Sequence, residues 1–369
     1  MTAKMKVGLL FGGRSGEHEV SLMSARSVLE EFNKSKYEVI QVGLTKEGRW
    51  LHGEETLASF ESGALEGLNH VTLLPEPGRG GLYMWSNDDE FDLLTDLDVA
   101  FPVLHGTFGE DGTIQGLFEL MEIPYVGAGV LASSVAMDKG LFKDVMRGNG
   151  IPVLDWVVLG SSQFEKGLES ALQRAERVGP YPLFTKPANM GSSVGIMRCE
   201  SRSDLIEGIQ EAAQFDRRVI VEHGINAREI EVSVLGNDEP DASVPGEIVP
   251  SDSFYSYKAK YIDDDSELII PAKLDSALME RTQAMAIAAY KAIDCAGMAR
   301  VDFLLDRDSG ELFMNEINTI PGFTKISMYP KLWEASGLGY SALLDRLIDL
   351  AFERAAQKSL LTRTYGGEQ

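Results

Sequence analysis

The residues of this chain with the clearest chemical potential lie near its carboxyl end, where Arg300 and Asp302 are followed by Glu316 and Asn318. One apolar residue separates the members of each pair, so in an extended strand both members share a face. The segment between the pairs is rich in Asp, Ser and Gly and is typical of a turn, which predicts a hairpin. If Ser309 is the centre of that hairpin, Asp302 lies opposite Glu316 and Arg300 lies opposite Asn318.

This face carries oxygen atoms at the density that a hard cation needs. Mg²⁺ prefers carboxylates, an amide oxygen, water and substrate phosphates in an octahedron, and Arg300 could hold an anion beside the metal. The alternative is a solvated hairpin face on which the acids and the arginine pair only with each other. Four polar groups in one register, flanked by apolar residues such as Phe303 and Ile317, favour the metal site.

A second candidate site follows a short apolar strand that ends at Lys186-Pro187, where the loop Gly191–Gly195 begins after a few residues. Small residues let backbone N–H groups approach phosphate oxygens, and the lysine supplies a point charge. The loop lacks the residue order of a Walker A motif, and an exposed hairpin turn is the alternative. Glu222 ends the next apolar strand and Glu229 begins another, so this segment offers an apolar slot and acceptors for adenine and ribose. For Glu229 a simple surface charge is the alternative.

Two loops near the amino end follow the strands predicted at 7–11 and 99–104. The first carries Glu17 where a helix opens, the place at which open α/β sheets bind ligands. A carboxylate there could hold a substrate ammonium group or favour the positive end of the helix, and Ser21 could cap that helix. The second loop begins with His105, which is either functional or an ordinary core or surface histidine. Both loops converge on one edge of the predicted sheet.

The elements that must position these residues alternate between strand-like and helix-like runs from the beginning of the chain. Such alternation predicts βαβ units on a parallel sheet, and the pattern gives way to hairpins or an insertion between residues 48 and 92. We divide the chain into three units, residues 1–134, 135–218 and 219–369. The predicted fold class is α/β (α+β) with an N-terminal open parallel sheet domain.

Composition excludes several classes of protein. The formal net charge of −23 argues against a nucleic-acid binder, because phosphate neutralisation needs clustered Lys and Arg. No apolar run approaches the roughly 20 residues of a membrane helix, and the start leads directly into a strand, so we expect a cytoplasmic protein that does not bind membranes. Cys199 and Cys295 are far apart in sequence without a CxxC partner, which predicts buried small side chains rather than a disulfide or zinc site.

Together these motifs resemble those of the D-alanine–D-alanine ligases of the ATP-grasp superfamily, over nearly the whole chain. The motifs that carry the resemblance are 12–21, 105–116, 186–195, 260–261 and 300–322. It implies a three-domain ATP-grasp architecture: an N-terminal substrate-binding domain, a central ATP-grasp subdomain, and a C-terminal ATP-grasp and metal-binding domain. It also implies ATP-dependent ligation of two D-alanines through an acyl phosphate, for peptidoglycan synthesis. The partners implied are ATP, D-alanine and a second copy in a homodimer.

The resemblance also implies roles for individual residues. Two Mg²⁺ ions, or Mn²⁺ in their place, would bind Asp302, Glu316 and Asn318. The expected ATP contacts are Lys139, Lys186, Glu222, His223, Ile225, Glu229 and Lys260.

For the amino acids, the resemblance assigns the first D-alanine to Glu17 and His105. The second carboxylate would bind Ser327 and the Met328 backbone. Arg300 and the Gly322 N–H would stabilise the oxyanion of the tetrahedral intermediate. Ser192 and Tyr261 would connect Glu17 to a closing loop at about 251–262, on which Lys260 would reach a phosphate.

Alternatives on the same fold stay open at this point. Relatives that make D-alanyl-D-lactate or D-alanyl-D-serine depart from the Lys-Tyr pattern, so Tyr261 favours D-alanine as the second substrate. The chain itself departs from the family at His223, where many relatives have Lys, and at Ile326, where some have His. A nucleotide-binding scaffold without catalysis is the alternative of a different class.

Overall fold

The computed structural model describes residues 3–87, 90–191, 194–249 and 267–362. Within them, short apolar runs form buried strands and amphipathic runs form the helices that cover them. The strands assemble into three sheets, one for each third of the chain.

Seven strands form the first sheet. In chain order they are β1 (Met5–Gly12), β2 (Tyr37–Leu44), β3 (Trp50–His52), β4 (Asn69–Leu73), β5 (Gly81–Asn87), β6 (Glu90–Asp96) and β7 (Val99–Pro102). Their spatial order is β6-β5-β4-β3-β2-β1-β7. As the alternation predicted, β1 is parallel to both β2 and β7. Strands β3 to β6 extend the sheet in antiparallel fashion, within the segment predicted to contain hairpins.

Four antiparallel strands form the second sheet. They are β8 (Trp156–Gly160), β9 (Leu183–Pro187), β10 (Met197–Cys199) and β11 (Arg218–His223), in the order β10-β9-β11-β8. The boundary placed after residue 218 falls at the start of β11, which pairs with β8 and β9. We therefore propose that the central unit runs to about His223, with the units before and after it otherwise as divided above.

Six strands form the third sheet. They are β12 (Ala227–Gly236), β13 (Asp241–Ala242), β14 (Gly246–Val249), β15 (Glu267–Ile269), β16 (Gly297–Asp306) and β17 (Leu312–Asn318). Five of them follow the order β15-β14-β12-β16-β17, and β13 pairs with β12. The hairpin β16–β17 is the one predicted from its polar pairs.

Ten helices occur in the described residues. They are α1 (His18–Glu31), α2 (Thr56–Ser62), α3 (Thr113–Met121), α4 (Val130–Met137), α5 (Lys139–Gly148), α6 (Ser161–Glu176), α7 (Arg202–Ala212), α8 (Ser276–Ala292), α9 (Met328–Ala335) and α10 (Tyr340–Ser359). None of these ten is both long and apolar enough to cross a membrane.

The first sheet and the last helix share one hydrophobic core. Val7 and Phe101 of the sheet belong to the same buried cluster as Leu343 and Leu347 of α10. Phe323 also belongs to it, and its ring packs against Phe101 and against Tyr340 of α10. Burying each such side chain contributes about 1.5–3 kcal/mol, which fixes the helix against the sheet. The shared core therefore brings the segment after β17 next to the carboxyl ends of β1 and β7.

The two cysteines are both buried free thiols, as predicted. Burial raises the pKa of Cys199 to about 11 and that of Cys295 to about 12. They therefore stay protonated at neutral pH and pack as small apolar side chains.

Candidate functional site

The hairpin β16–β17 has the predicted register. Asp302 lies opposite Glu316 and Arg300 lies opposite Asn318. The intervening Val301 is fully buried in the core of the third sheet, so the polar pairs face the other way. Period-two alternation together with the turn was therefore enough to predict this face.

Arg300 is held between two carboxylates. Its Nε and Nη2 donate to the two oxygens of Asp302 over 2.8 and 2.7 Å, a bidentate fork. Its Nε also lies 3.0 Å from Oε2 of Glu231, which stands on β12 directly opposite Asp302. We call Glu231, Arg300 and Asp302 the arginine–carboxylate cluster; fully ionised, it carries one net negative charge.

Asn318 and Glu316 complete this face with further contacts. The amide nitrogen of Asn318 donates to Oδ2 of Asp302 over 2.9 Å, so its oxygen is the atom suited to ligate a metal. Nζ of Lys139, the first residue of α5, lies 3.2 Å from Oε2 of Glu316. Burial alone would lower the pKa of Lys139, but the charge and hydrogen bond of Glu316 outweigh it and raise that pKa. Lys139 is thus a charged link between α5 and the hairpin.

The donor set of this face suits a hard divalent cation that also binds a substrate. In the described stretches of the chain, no three His, Cys, Asp or Glu side chains are grouped so as to hold a metal ion. The face instead presents two carboxylates and one amide, Asp302, Glu316 and Asn318. Such a set fits Mg²⁺, which usually takes its remaining ligands from water and substrate phosphates.

A second buried ion cluster lies between α5 and the second sheet, β8–β11, which we call the central sheet. Nζ of Lys143 lies 2.8 Å from Oε1 of Glu222, and Lys186 pairs with the other oxygen of the same carboxylate. Burial alone would raise the pKa of Glu222, but the two lysines hold it down to about 2, while burial lowers the pKa of Lys143. We call these three residues the lysine–glutamate cluster; fully ionised, it carries one net positive charge.

His105 joins the first sheet to the segment after the hairpin. Its Nδ1 donates to the carbonyl oxygen of Ile320 over 2.9 Å, and its Nε2 lies 2.8 Å from Oγ of Ser24. Burial alone would lower the pKa of this imidazole, but the hydrogen bond and charge of Glu110, with the charge of Glu17, raise it. The carboxylates of Glu110 and Glu17 therefore favour the charged form of His105.

Two glycines fit closely around the carboxylate of Glu17. A Cβ added at Gly106 would lie 2.6 Å from Oε2 of Glu17, and one added at Gly191 would lie 2.8 Å from the same atom. The φ of Gly106 is +77°, a conformation that also favours glycine. Gly191, in the loop after β9, therefore lies next to Glu17. This loop and Glu17 were predicted from the sequence to belong to one site.

The predicted site for the second carboxylate lies at the start of α9. Ser327 precedes that helix, and its Oγ accepts from the backbone N–H of Thr324 over 3.0 Å. A Cβ added at Gly322 would lie 2.8 Å from the same oxygen, so Gly322 and Ser327 are neighbours. Met328 is buried at the first turn of the helix. Phe323 follows Gly322 in the sequence, and its backbone N–H donates to the Ser24 hydroxyl, which also contacts His105.

Other predicted residues lie further from these clusters or outside the described residues. Strand alternation turns His223 away from Glu222, and a Cβ at Gly179 would lie 2.7 Å from its ring. Ile225 is half-buried between β11 and β12, and Glu229 lies opposite Leu304 on the sheet face that carries Glu231. Ser192, Lys260, Tyr261 and the closing loop 251–262 lie outside the described residues.

Two residues of these clusters were missed by the sequence analysis. Lys143 follows Lys139 by four residues, so both lie on one face of α5, and that spacing could have revealed it. Glu231 follows Glu229 by two residues and therefore shares its face of β12. Its pairing with Arg300 depends on the distant contact between β12 and β16, which local spacing does not reveal.

Comparison with known proteins gives consistent matches along the chain. Residues 6–128 match the family described as D-ala D-ala ligase N-terminus, and residues 145–349 match D-ala D-ala ligase C-terminus. A D-alanine–D-alanine ligase of Thermoanaerobacter sp. is 51% identical over 358 residues, covering 96% of this chain and 98% of the relative. One of Natranaerobius thermophilus is 48% identical over 356 residues, covering 96% and 97%.

Solved structures are similar in fold along almost the whole chain. The D-alanine-D-alanine ligase from Coxiella burnetii superposes with a TM-score of 0.81 at 36% identity, covering 96% of each chain. The VanG D-Ala:D-Ser ligase from Enterococcus faecalis superposes with a TM-score of 0.84 at 38% identity, covering 95% of this chain and all of that one.

Proposed function

The chain belongs to the D-alanine–D-alanine ligase family and is an ATP-dependent ligase of the ATP-grasp fold, and we propose that the clusters described above form its active site. The family uses ATP and a divalent metal ion, and its dipeptide product serves peptidoglycan synthesis. The observation that carries the proposal is one polar face on which Arg300, Asp302, Glu316 and Asn318 stand in register beside Lys139.

We assign the metal to this face. Asp302, Glu316 and Asn318 would hold two Mg²⁺ ions, with Mn²⁺ as a substitute, and ATP phosphates and water would supply the other ligands. When bound, the metal supplies charge that stabilises the transferring phosphoryl group. Lys139 pairs with Glu316, one of the proposed metal ligands, so a phosphate bound to the metal would lie within its reach.

We assign the nucleotide to the space between the central sheet and the hairpin. Lys186 supplies a positive charge to the phosphates. Its two lysines keep Glu222 ionised at neutral pH, so this carboxylate can accept hydrogen bonds from the nucleotide. The remaining contacts assigned to ATP are His223, Ile225, Glu229 and Lys260.

The reaction proceeds in two steps. The carboxylate of the first D-alanine attacks the γ-phosphorus of ATP, which releases ADP and leaves an acyl phosphate. The amine of the second D-alanine then attacks the acyl carbon, and inorganic phosphate leaves from the tetrahedral intermediate. Glu17 holds the first ammonium group beside His105, while Arg300 and the Gly322 N–H stabilise the oxyanion.

The second D-alanine would bind through its carboxylate. Ser327 and the backbone of Met328 stand at the amino end of α9, where N–H groups and the helix dipole favour an anion. Ser192 and Tyr261 are proposed to link Glu17 to the closing loop, which would exclude water from the acyl phosphate. We also propose that the protein is a cytoplasmic homodimer, as is typical of the family; mass measurement in solution tests the dimer.

One experiment tests both the reaction and the second substrate. Purified protein is given ATP, Mg²⁺ and D-alanine, alone or with excess D-serine or D-lactate, and ADP and products are quantified. We expect D-alanyl-D-alanine as the main product in every mixture. Because a D-Ala:D-Ser ligase is among the similar structures, a predominance of D-alanyl-D-serine would reassign the acceptor, and an absence of ADP formation would overturn the proposal.

A further inference from the structure

Arg300 and a divalent metal compete for the same carboxylate. The guanidinium donates to both oxygens of Asp302, over 2.8 and 2.7 Å, and a metal ion on Asp302 needs at least one of those oxygens. Each of those oxygens has more than one lone pair, so the metal need not displace the guanidinium, but its positive charge repels Arg300 and weakens the bidentate fork. An arginine released in this way would swing out of the site unless a second anion held it.

Glu231 is placed to be that second anion. Its Oε2 lies 3.0 Å from the same Nε that donates to Asp302, and the two acids stand opposite each other on β12 and β16. Its side chain is only 6% exposed, so water does not screen its attraction for the guanidinium. A backbone ladder on both sides of Asp302 fixes the distance between the acids.

We propose that Glu231 is a positioning residue that holds Arg300 in the site while Asp302 is transferred from the arginine to the metal. The inference rests on the proposed roles of Arg300 and Asp302. It predicts that the charge of Glu231 lowers the cost of freeing Asp302 and keeps the guanidinium aimed at the reacting carboxyl group. Without that charge, Arg300 depends on Asp302 alone, so the metal binds more weakly and the guanidinium is no longer held once the metal has bound.

The chain offers a closely matched control. The side chain of Glu247 is as buried as that of Glu231, at 6% exposure, and it accepts a bidentate fork from Arg228 over 2.8 and 2.6 Å. Arg228 stands on β12, the same strand as Glu231, but this pair has no part in the proposed chemistry. Glu247→Gln therefore removes a comparable buried charge from the same sheet.

The direct test measures metal binding without turnover. Mn²⁺ is titrated into the full-length protein with a non-hydrolysable ATP analogue, and free Mn²⁺ is followed by electron paramagnetic resonance. We expect Glu231→Gln to weaken Mn²⁺ binding by about 10- to 100-fold, the range typical of residues that orient metal ligands. Glu231→Asp, which keeps the charge, should recover part of the affinity, and Glu247→Gln should match the wild type. Wild-type Mn²⁺ affinity in Glu231→Gln would overturn the inference.

A double mutant separates positioning from simple charge. If Glu231 acts through Arg300, Glu231→Gln should have no further effect on Mn²⁺ binding in the Arg300→Met background. Equal weakening of Mn²⁺ binding in both backgrounds would mean that Glu231 attracts the metal by its own charge. The proposed action of Glu231 through Arg300 would then be wrong. In steady-state kinetics, Glu231→Gln should raise the Mg²⁺ concentration needed for half-maximal activity, and its activity at saturating Mg²⁺ should stay below that of the wild type because Arg300 is no longer held.

The failure of the proposed active site would look different. Asp302→Asn tests that proposal, because it removes the ligand itself. If Asp302→Asn binds Mn²⁺ normally, the metal lies elsewhere and the proposed site is wrong. If Asp302→Asn loses Mn²⁺ while Glu231→Gln retains it, only the role of Glu231 is wrong.

Discussion

The lysine–glutamate cluster and the arginine–carboxylate cluster differ in the sign of their net charge. The lysine–glutamate cluster has two cations on one carboxylate, whereas the arginine–carboxylate cluster has one cation between two carboxylates. Each is therefore one charge away from neutrality, and burial makes such an imbalance costly. The signs match the proposed ligands, since the excess positive charge would face a triphosphate and the excess negative charge would face a divalent metal.

The clusters also differ in geometry. Lysines act as point charges on flexible stems, whereas the planar guanidinium of Arg300 forms a directed fork. The guanidinium of Arg300 can shift its hydrogen bonds between two carboxylates while it stays in the site. Lys143 lies 2.8 Å from a single buried carboxylate, and moving away would leave that charge unpaired. We infer that the lysine–glutamate cluster is a fixed element of the site and that the arginine–carboxylate cluster rearranges during the reaction.

The largest effects should follow changes on the polar face of the β16–β17 hairpin, to which we assign the metal. We expect Arg300→Ala and Glu316→Ala each to reduce kcat by about 10²–10³-fold or more, because each removes charge stabilisation at the reacting groups. Thermal unfolding should show both variants folded, and Arg228→Ala, which breaks the other arginine fork of this sheet, should keep its activity. Turnover like the wild type in Arg300→Ala or Glu316→Ala would show that the chemistry occurs elsewhere.

The lysine–glutamate cluster should instead dominate stability. Glu222→Gln leaves two buried lysines without their carboxylate, which should cost roughly 3–5 kcal/mol of unfolding free energy at neutral pH. The folded pKa of Glu222 is about 2, below the 4.5 of an unperturbed Glu, so its contribution is full above pH 4.5 and is lost toward pH 2. Denaturant unfolding of both proteins at several pH values should therefore show the gap shrinking below pH 4.5. A gap that is independent of pH in that range would contradict this account.

A smaller effect is expected at Lys143. Its pKa is already lowered by burial, and Glu222 keeps Lys186 as a partner, so Lys143→Met should change stability by only about 1 kcal/mol. Removing the excess positive charge should nevertheless weaken ADP binding by about tenfold, equivalent to 1.4 kcal/mol. Calorimetric titration with ADP checks this, and Lys143→Arg serves as the charge-preserving control. Unchanged ADP affinity in Lys143→Met would show that the net charge of the cluster does not serve the nucleotide.

The smallest effect should come from an exposed pair that resembles the clusters only in its chemistry. Lys46 lies 2.7 Å from Glu19, and both side chains are more than half exposed. Lys46→Gln should change the unfolding free energy by less than about 1 kcal/mol, because water and salt screen the attraction. Measuring the unfolding free energies of Lys46→Gln and Glu222→Gln under identical conditions isolates the contribution of burial. If Lys46→Gln lost as much stability as Glu222→Gln, burial would not explain the difference between exposed and buried pairs.

Local patterns predicted the parts of the site that lie within one hairpin or follow one strand. The register of Asp302 with Glu316 follows from a period of two and a turn, and both the parallel strands and the buried cysteines were also predictable. Ser21 shows where local reasoning fails. A helix cap was one interpretation of its position, but it lies within α1, where its Oγ donates to the Val103 carbonyl and accepts from the Gly12 N–H. Tertiary contacts determine its role.

The rest of the site depends on contacts between segments far apart in sequence. The pairing of β12 with β16 places Glu231 beside Arg300, and the packing of α5 on the central sheet places Lys143 beside Glu222. No spacing within either segment contains this information, because a strand pattern specifies a buried face but not its neighbour.

The shared core of the first sheet and the last helix has a consequence for synthesis. A ribosome makes β1 and β7 long before it makes Leu343 and Leu347, the side chains that complete their packing. The part of this face that α1 does not cover therefore stays exposed until translation is nearly finished. We expect chains that terminate before α10 to expose this apolar face, and the growing polypeptide to need protection from aggregation until its final helix emerges from the exit tunnel.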